Sequence, residues 1–262
     1  MAKVTYLKAQ DAVFVSPSPT VEAYWSRVDV IHRTPIIDVT GEASSGGGDT
    51  SKAYVAGIPI MEYIASGWVW DSTGKYASSN AITLTPGSSA INIHPWDWVY
   101  SKKWELHNVT GSSDSVSAWV GGLGTIKFQV RGWIKNNGPD ITSQSVAGFS
   151  ATFDLGGTIA GTAMIESYDV SAPRGAGGPI YGTISGSLNA GYTYSPVGSN
   201  PADYSNIFDA DVDPPRGTTS LTTTSGDTLS NTCVVYDVQL KGTRRQGGGV
   251  GIVARHRVDM AD

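Results

Sequence analysis

Residues 121–135 read GGLGTIKFQVRGWIK, and their central part alternates between apolar and polar side chains. The apolar positions are Ile126, Phe128 and Val130, and the polar positions beside them are Lys127, Gln129 and Arg131. A period of two residues places successive side chains on opposite faces of an extended strand. The segment therefore predicts a β-strand with one buried face and one exposed face, and this strand ends at the pair Gly132-Trp133.

A second strand of the same kind lies upstream, in residues 56–71, and contains the pair Gly67-Trp68. Each of the two strands follows a Val-Thr-Gly sequence and then a loop rich in serine or glycine. The Val-Thr-Gly sequences lie at 39–41 and 109–111, and the loops lie at 44–51 and 112–117. Because the matches occur in the same order in both places, they indicate an internal duplication.

The second half of the chain contains another matched pair. Residues 161–185 hold two strand-like runs around a turn rich in proline and glycine, which predicts a β-hairpin. Residues 231–253 follow the same plan, and their Tyr-Asp-Val sequence at 236–238 matches the one at 168–170. The chain thus has the order A, A, B, B.

This order predicts nested domains. A tandem duplication would give A, B, A, B, whereas insertion of one A-B domain into the loop of another gives A, A, B, B. We therefore expect an inner domain of residues 82–191, inserted into an outer domain formed by residues 1–81 and 192–262. The alternative is one large β-sandwich over residues 1–262.

The composition favours an all-β class with very little helix. The chain has 262 residues, of which 32 are glycine and 16% are charged, and the clearest helical candidate is the short run at 201–209. The net charge of −5 excludes an overall basic field that would attract nucleic acid. No secretory signal is evident at the start, and no apolar run approaches the ~20 residues that span a bilayer, so we expect a cytoplasmic protein without a membrane partner.

Residues that could carry chemistry form no recognisable site. The histidines lack metal-binding spacing, and no carboxylate pair stands out as a glycosidase would require. We therefore expect no metal, no cofactor and no enzymatic activity. Cys233 lies in a strand-like run and is predicted to be a buried core thiol. A group of tryptophans could form a sugar-binding platform, although their positions in alternating strands favour packing; these are Trp96, Trp98, Trp104, Trp119 and Trp133.

Two of these segments carry a family resemblance. They are the strand that ends in Gly-Trp-Ile at 132–134 and the segment GTAMIESYDVSAPRGAGGPIYGTISGSL at 161–188. Together, over residues 126–191, they resemble the major tail tube proteins of long-tailed bacteriophages. Weaker forms of both at 56–72 and 231–260 extend the resemblance to most of the chain.

The resemblance implies tail-tube-like β-sandwich domains that close into rings, usually of six domains. Such rings stack into a tube through which DNA passes without sequence-specific binding. Two domains in one chain would imply a trimer, and one domain would imply a hexamer. The partners would be further copies of the chain and other tail or capsid proteins, in a virion assembled in the host cytoplasm. The candidate lumen or inter-subunit residues are Lys127, Gln129, Arg131, Arg174, Arg244 and Arg245.

Other functions remain open at the level of sequence. A capsid decoration or adaptor protein would share the β-rich composition, and a carbohydrate-binding β-sandwich protein would use the tryptophan group. A β-sandwich hydrolase would need a converging pair of acids. The acidic balance of the chain suits a DNA conduit, because abundant Lys and Arg contacts to phosphate would hold the DNA in place.

Overall fold

A computed structural model describes thirteen stretches of the chain. They are residues 12–17, 23–39, 52–70, 82–85, 91–110, 117–134, 149–154, 157–171, 180–188, 193–196, 213–223, 225–243 and 249–259. All regular secondary structure in these stretches is β, which confirms the predicted all-β class. None of the described segments forms a helix long and apolar enough to span a bilayer. The helical candidate at 201–209 and the loops at 44–51 and 112–117 lie outside the described residues, apart from Ser117.

The described residues form fifteen β-strands in chain order. They are β1 (Ala12–Val15), β2 (Tyr24–Arg33), β3 (Ile36–Asp38), β4 (Tyr54–Ala56), β5 (Ile60–Trp70), β6 (Ile82–Thr85), β7 (Ile91–Asn108), β8 (Trp119–Ile134), β9 (Phe149–Asp154), β10 (Gly157–Ser171), β11 (Ile180–Leu188), β12 (Thr193–Pro196), β13 (Arg216–Thr223), β14 (Thr228–Thr243) and β15 (Gly249–Asp259). Strands β3 and β4 pair only with each other, and the remaining thirteen belong to one sheet system.

Strand β8 has the alternation that its sequence predicts. Ile126, Phe128 and Val130 are buried, whereas the three polar residues beside them are exposed. Both predicted hairpins are also present, because β10 pairs with β11 and β14 pairs with β15 in antiparallel fashion.

Six consecutive strands close on themselves through antiparallel pairing, with β12 added at one end of β10. The order is β7-β6-β9-β10-β11-β8, and β8 returns to β7. We call these six strands the inner set. Closure leaves few unpaired backbone edges, which otherwise invite uncontrolled pairing. The buried side chains of β8 and β11 face the interior and join the main hydrophobic cluster, which includes Phe128, Val130, Ile184 and Leu188.

The remaining long strands follow the same plan. They run in the order β1-β13-β14-β15-β5-β2, and we call them the outer set. Strands β1 and β2 approach each other through their side chains, since the ring of Phe14 meets that of Trp25 edge-on at 5.6 Å. A second hydrophobic cluster fills this set and includes Phe14, Tyr63, Leu221, Cys233 and Val258. Cys233 is fully buried there, which confirms its prediction as a core thiol.

The ladders of the two sets agree in register. Gly132 pairs with Gly182 on one side and Pro95 on the other, while Gly67 pairs with Ile252 and Trp25. A β-bulge follows in both places, at Trp96 of β7 and at Ser26 of β2.

A second bulge recurs in the hairpins, at Glu166 of β10 and at Tyr236 of β14. The sequence match between Tyr168 and Tyr236 is therefore two residues away from the match between the bulges. The reason is that a bulge is defined by its backbone pairing and can carry different side chains in the two places.

One further ladder connects the inner set to the outer set. Residues 97–103 of β7 pair with residues 237–243 of β14. Across this junction the main hydrophobic cluster is continuous, because Tyr100 and Trp98 pack in the same cluster as Val238 and Leu240.

The glycine of the upstream Gly-Trp pair has a steric role. A Cβ atom added at Gly67 would lie 2.1 Å from the carbonyl oxygen of Tyr24 and 2.8 Å from the Cα of Trp25. Both atoms belong to the backbone of β2 beside its bulge, so they cannot move aside as a side chain could. Only glycine allows the two strands to approach so closely at this position.

We predict that Gly67→Ala lowers the free energy of unfolding by about 2 kcal/mol or more, because overpacking against backbone typically costs 1–3 kcal/mol. Urea denaturation measures this change. The matched control is Gly217→Ala, whose added methyl group would make an ordinary contact with Pro17 at 3.5 Å. Equal stability of Gly67→Ala and the wild type would contradict the steric role.

Candidate assembly surface

Eight strands from both sets form one continuous antiparallel sheet. The order is β10-β11-β8-β7-β14-β15-β5-β2, with four strands from each set. We call it the eight-strand sheet. One face is apolar and largely buried, as Tyr100, Phe128 and Leu240 illustrate. The opposite face is polar, and side chains from both sets lie side by side on it.

Three predicted candidate residues lie together on this polar face. Lys127, Gln129 and Arg131 occupy successive outward positions of β8. The register sets Gln129 between Val99 and Ser185, and Arg131 between Asp97 and Thr183. The other three candidates, Arg174, Arg244 and Arg245, lie outside the described residues.

Three cations on the polar face have carboxylates beside them, whereas Arg131 donates to the hydroxyl of Thr183 at 3.4 Å. The Lys127 ammonium lies 3.2 Å from a carboxylate oxygen of Glu166. Two more such pairs are Arg27 with Asp29 at 3.0 Å and Arg255 with Asp237 at 3.5 Å. Burial raises the pKa of Asp237, although Arg255 and Lys103 oppose that shift. This surface therefore carries both signs of charge in close alternation.

Five aromatic rings, of which those of Tyr24, Trp68 and Trp133 are exposed, lie near the end of the sheet on its polar face. In the inner set, the ring of Trp96 lies 6.1 Å from that of Trp133 and 5.1 Å from that of Tyr181. In the outer set, Tyr24 stacks on Trp68 at 6.5 Å. We call these five residues the aromatic rim. The tryptophan group predicted to pack thus divides, since Trp98 and Trp104 are buried whereas Trp133 is exposed.

A half-buried polar cluster between the two sets has no signature in the sequence. Tyr236 donates a hydrogen bond to Glu62, and the guanidinium of Arg257 lies 4.0 Å from the same carboxylate. That guanidinium also lies over the rings of Trp119, at 4.7 Å, and Tyr236, at 5.4 Å. Burial and the bond to Glu62 raise the pKa of Tyr236. These residues come from β5, β14, β15 and β8, and no local pattern in the sequence links them.

Arg216 and Asp259 form a second polar contact in the same region. Arg216 donates to a carboxylate oxygen of Asp259 at 2.6 Å and to the backbone carbonyl of Trp119 at 3.1 Å. Because Trp119 belongs to β8 and the other two residues belong to the outer set, this arginine joins the two sets. Charge-assisted bonds of this kind are among the stronger contacts in proteins.

The interior of the outer set holds two titratable groups away from water. The Oγ of Ser16 lies 2.7 Å from Nε2 of His256, and the ring of Phe14 meets that imidazole edge-on at 5.3 Å. Burial lowers the pKa of His256 to about 4. Burial also raises the pKa of Cys233 to about 11, so its thiol stays protonated at neutral pH. Neither group lines an open cleft in the described residues.

The described residues contain no group of three His, Cys, Asp or Glu side chains that could hold a metal ion.

Comparisons with known proteins gave one structural likeness. No protein-family model matches the chain, and no curated protein matches it. A solved chain from a structure titled "Virion of native gene transfer agent (GTA) particle" is similar at 15% identity with a TM-score of 0.34. The match covers 45% of the present chain and 98% of that one.

We predict that Lys127→Ala and Arg131→Ala each change the free energy of unfolding by less than about 1 kcal/mol, because exposed ion pairs contribute little. The contrasting variant is Lys102→Ala. Lys102 lies on the opposite, buried face, with its ammonium 4.8 Å from the centre of the Trp104 ring. Its loss should cost about 2 kcal/mol or more in urea denaturation. A similar cost for all three variants would contradict the assignment of the exposed face.

We also predict a pH dependence from His256. Its pKa of about 4 in the folded chain lies below the ordinary imidazole value of 6.5, so protonation favours the unfolded chain. The contribution of the neutral imidazole is complete above pH 6.5 and decreases as the pH falls towards 4. Replacement by glutamine should make unfolding free energy less dependent on pH across this window. The matched substitution is His107→Gln, which removes an exposed imidazole in place of a buried one.

Proposed function

We propose that this protein is a non-enzymatic structural component of a virion, and more specifically the subunit of a phage tail tube. The observation that carries the proposal is the eight-strand sheet, which has a polar face and ends in a long strand at either side. A sheet of this form can extend from one copy of the chain to the next. The family resemblance over residues 126–191 points to the same assembly.

We propose that the inner and outer sets belong to two nested domains that arose by duplication. The domains are 82–191, and 1–81 with 192–262. The support comes from the strand order, which is the same in both sets, and from the bulges that recur at matching places in the ladders. Two ring-forming domains in each chain would make a six-domain ring from three chains, so we favour a trimer over a hexamer.

The polar face is suited to the lumen of such a ring. Lys127, Arg27 and Arg255 each lie near a carboxylate, which reduces the charge available to a phosphate group. Binding of DNA depends on the number of phosphates that free cations neutralise. Pairing of these three cations weakens the attraction of the wall for phosphate and favours passage of DNA without sequence-specific binding, in agreement with the net charge of −5.

A second candidate function comes from the aromatic rim. Exposed Trp133 beside Tyr181 offers flat apolar surfaces of the kind that stack on sugars, as a capsid decoration or carbohydrate-binding protein would require. Ring assembly offers the alternative use, in which the rim packs against the next ring. The two functions predict different states of the purified protein, a particle in the first case and a glycan-binding monomer in the second.

The test is the mass and shape of the purified protein. We expect the mass from light scattering to correspond to three chains per ring, and negative-stain microscopy to give hollow rings or tubes. Glycan-array binding by a stable monomer would overturn the tube function in favour of the second candidate. Particles with six chains per ring would retain the tube function and contradict two ring-forming domains in each chain.

A further inference from the structure

The ladder between β7 and β14 joins an inner strand to an outer strand, and each of them has a counterpart in the other set. The bulges give the correspondence. The residue before the bulge is 95 in β7 and 25 in β2, which is a separation of 70 positions. It is 235 in β14 and 165 in β10, which is again a separation of 70 positions. The counterpart of β7 is therefore β2, and the counterpart of β14 is β10. A ladder between β2 and β10 would repeat the internal junction.

Within the described residues, that second ladder is not formed inside the chain. Strand β2 pairs with β5 along one edge, and no described strand pairs with its other edge. In β10, strand β9 pairs with residues 158–163, and the same edge continues without a described partner to residue 171. These two edges end the eight-strand sheet on opposite sides, and within the described residues they do not pair with each other.

The β7–β14 ladder and the corresponding edges of β2 and β10 differ in the exposure of their apolar side chains. In the internal ladder Tyr100 pairs with Leu240, and these side chains are 1% and 0% exposed. Their counterparts are Val30 and Val170, which are 39% and 48% exposed. Apolar side chains that are buried in one copy of the junction thus face solvent in the other. Two long edges with apolar residues at their centre are open to pairing with another strand.

The charges are also compatible with pairing. Shifting the internal ladder by 70 residues sets Arg33 opposite Ser167 and Ile31 opposite Asp169. Arg33 would then lie diagonally across from Asp169, within reach of a long side chain on the same face. In the internal ladder, the cation Lys103 lies opposite Asp237 and lowers the pKa of that carboxyl group.

We propose that β2 of one copy pairs with residues 167–171 of β10 in the next copy, in the antiparallel register that sets Val30 opposite Val170. The contact is head-to-tail, because it uses two different edges, and it can therefore continue from copy to copy around a ring. The closed ring that this contact would form rests on the proposed function. The new element is the pair of strand edges through which the copies join.

Cysteine cross-linking tests the register in the full-length protein. Residues opposite each other in an antiparallel ladder have Cα atoms about 4.5–5.5 Å apart, within the range that a disulfide spans. The variant Val30→Cys with Val170→Cys should, on mild oxidation, give covalent multimers in a denaturing gel that disappear on reduction. Cys233 does not interfere, since it is fully buried.

The matched control moves one cysteine along the same edge. In Val30→Cys with Ser167→Cys, the Cα atoms would be about 10 Å apart at ~3.4 Å per residue, too far for a disulfide. A second test pair, His32→Cys with Tyr168→Cys, lies two positions along the proposed ladder and replaces the first pair if that variant does not fold. Equal cross-linking of test and control pairs, or cross-linking of Val30→Cys alone, would overturn the register.

The outcomes distinguish this inference from the proposed function. Rings or tubes together with multimers from the test pair support both. Rings or tubes without cross-linking of either test pair would overturn the strand pairing and leave the tube function standing. Cross-linked multimers from a protein that forms no closed particle would support the pairing and overturn the tube. A monomer that does not cross-link would overturn both.

Discussion

The fold depends on strand β7, which pairs along both of its edges. Strand β8 follows one edge over most of its length, while β6 and then β14 share the other. The ladder to β14 joins residues 97–103 to residues 237–243, so its two sides are far apart in the sequence. It can form only when the last third of the chain is available, because loop closure must precede the contacts that offset its cost. The continuous core across the two sets depends on this ladder between distant parts of the sequence.

Local sequence patterns predict the strands well because burial alternates within each strand. In β8, each residue from 126 to 134 has the exposure that its side chain predicts, apart from the exposed Trp133. The hairpins are likewise encoded by short-range turns. The predicted polar residues Lys127, Gln129 and Arg131 lie together for the same reason, since they are successive positions on one side of a single strand. Such features require no knowledge of distant partners.

Long-range pairings could not be predicted in the same way. Glu62, Tyr236 and Arg257 meet because three strands from different parts of the chain lie side by side, and none of these residues has a local signature. The two-residue difference between the sequence match at Tyr168 and the bulge at Glu166 has a related cause. A bulge is fixed by how many residues each strand contributes between two hydrogen-bonded pairs, and different side chains tolerate that arrangement.

The Gly-Trp pairs show how local and distant constraints combine. Gly67 lies where the backbone of β2 bends at its bulge, and the close approach excludes any side chain. The next residue points to the opposite face of the strand, so Trp68 belongs to the exposed aromatic rim. The pair Gly132-Trp133 has the same relation to the bulge of β7. The pair Gly67-Trp68 thus combines a tight backbone contact with an exposed ring at the end of the sheet.

The difference between β7 and β2 bears most directly on assembly. On β7, the edge that meets β14 carries Tyr100 and Lys102, both buried by the junction and its core. At the corresponding positions, β2 carries Val30 and His32, and both are exposed. Monomeric β-proteins commonly protect an edge strand with a bulge, a proline or an inward-pointing charge near its centre. The central part of this edge of β2, residues 28–32, has none of these, so the sequence leaves this edge able to accept another strand.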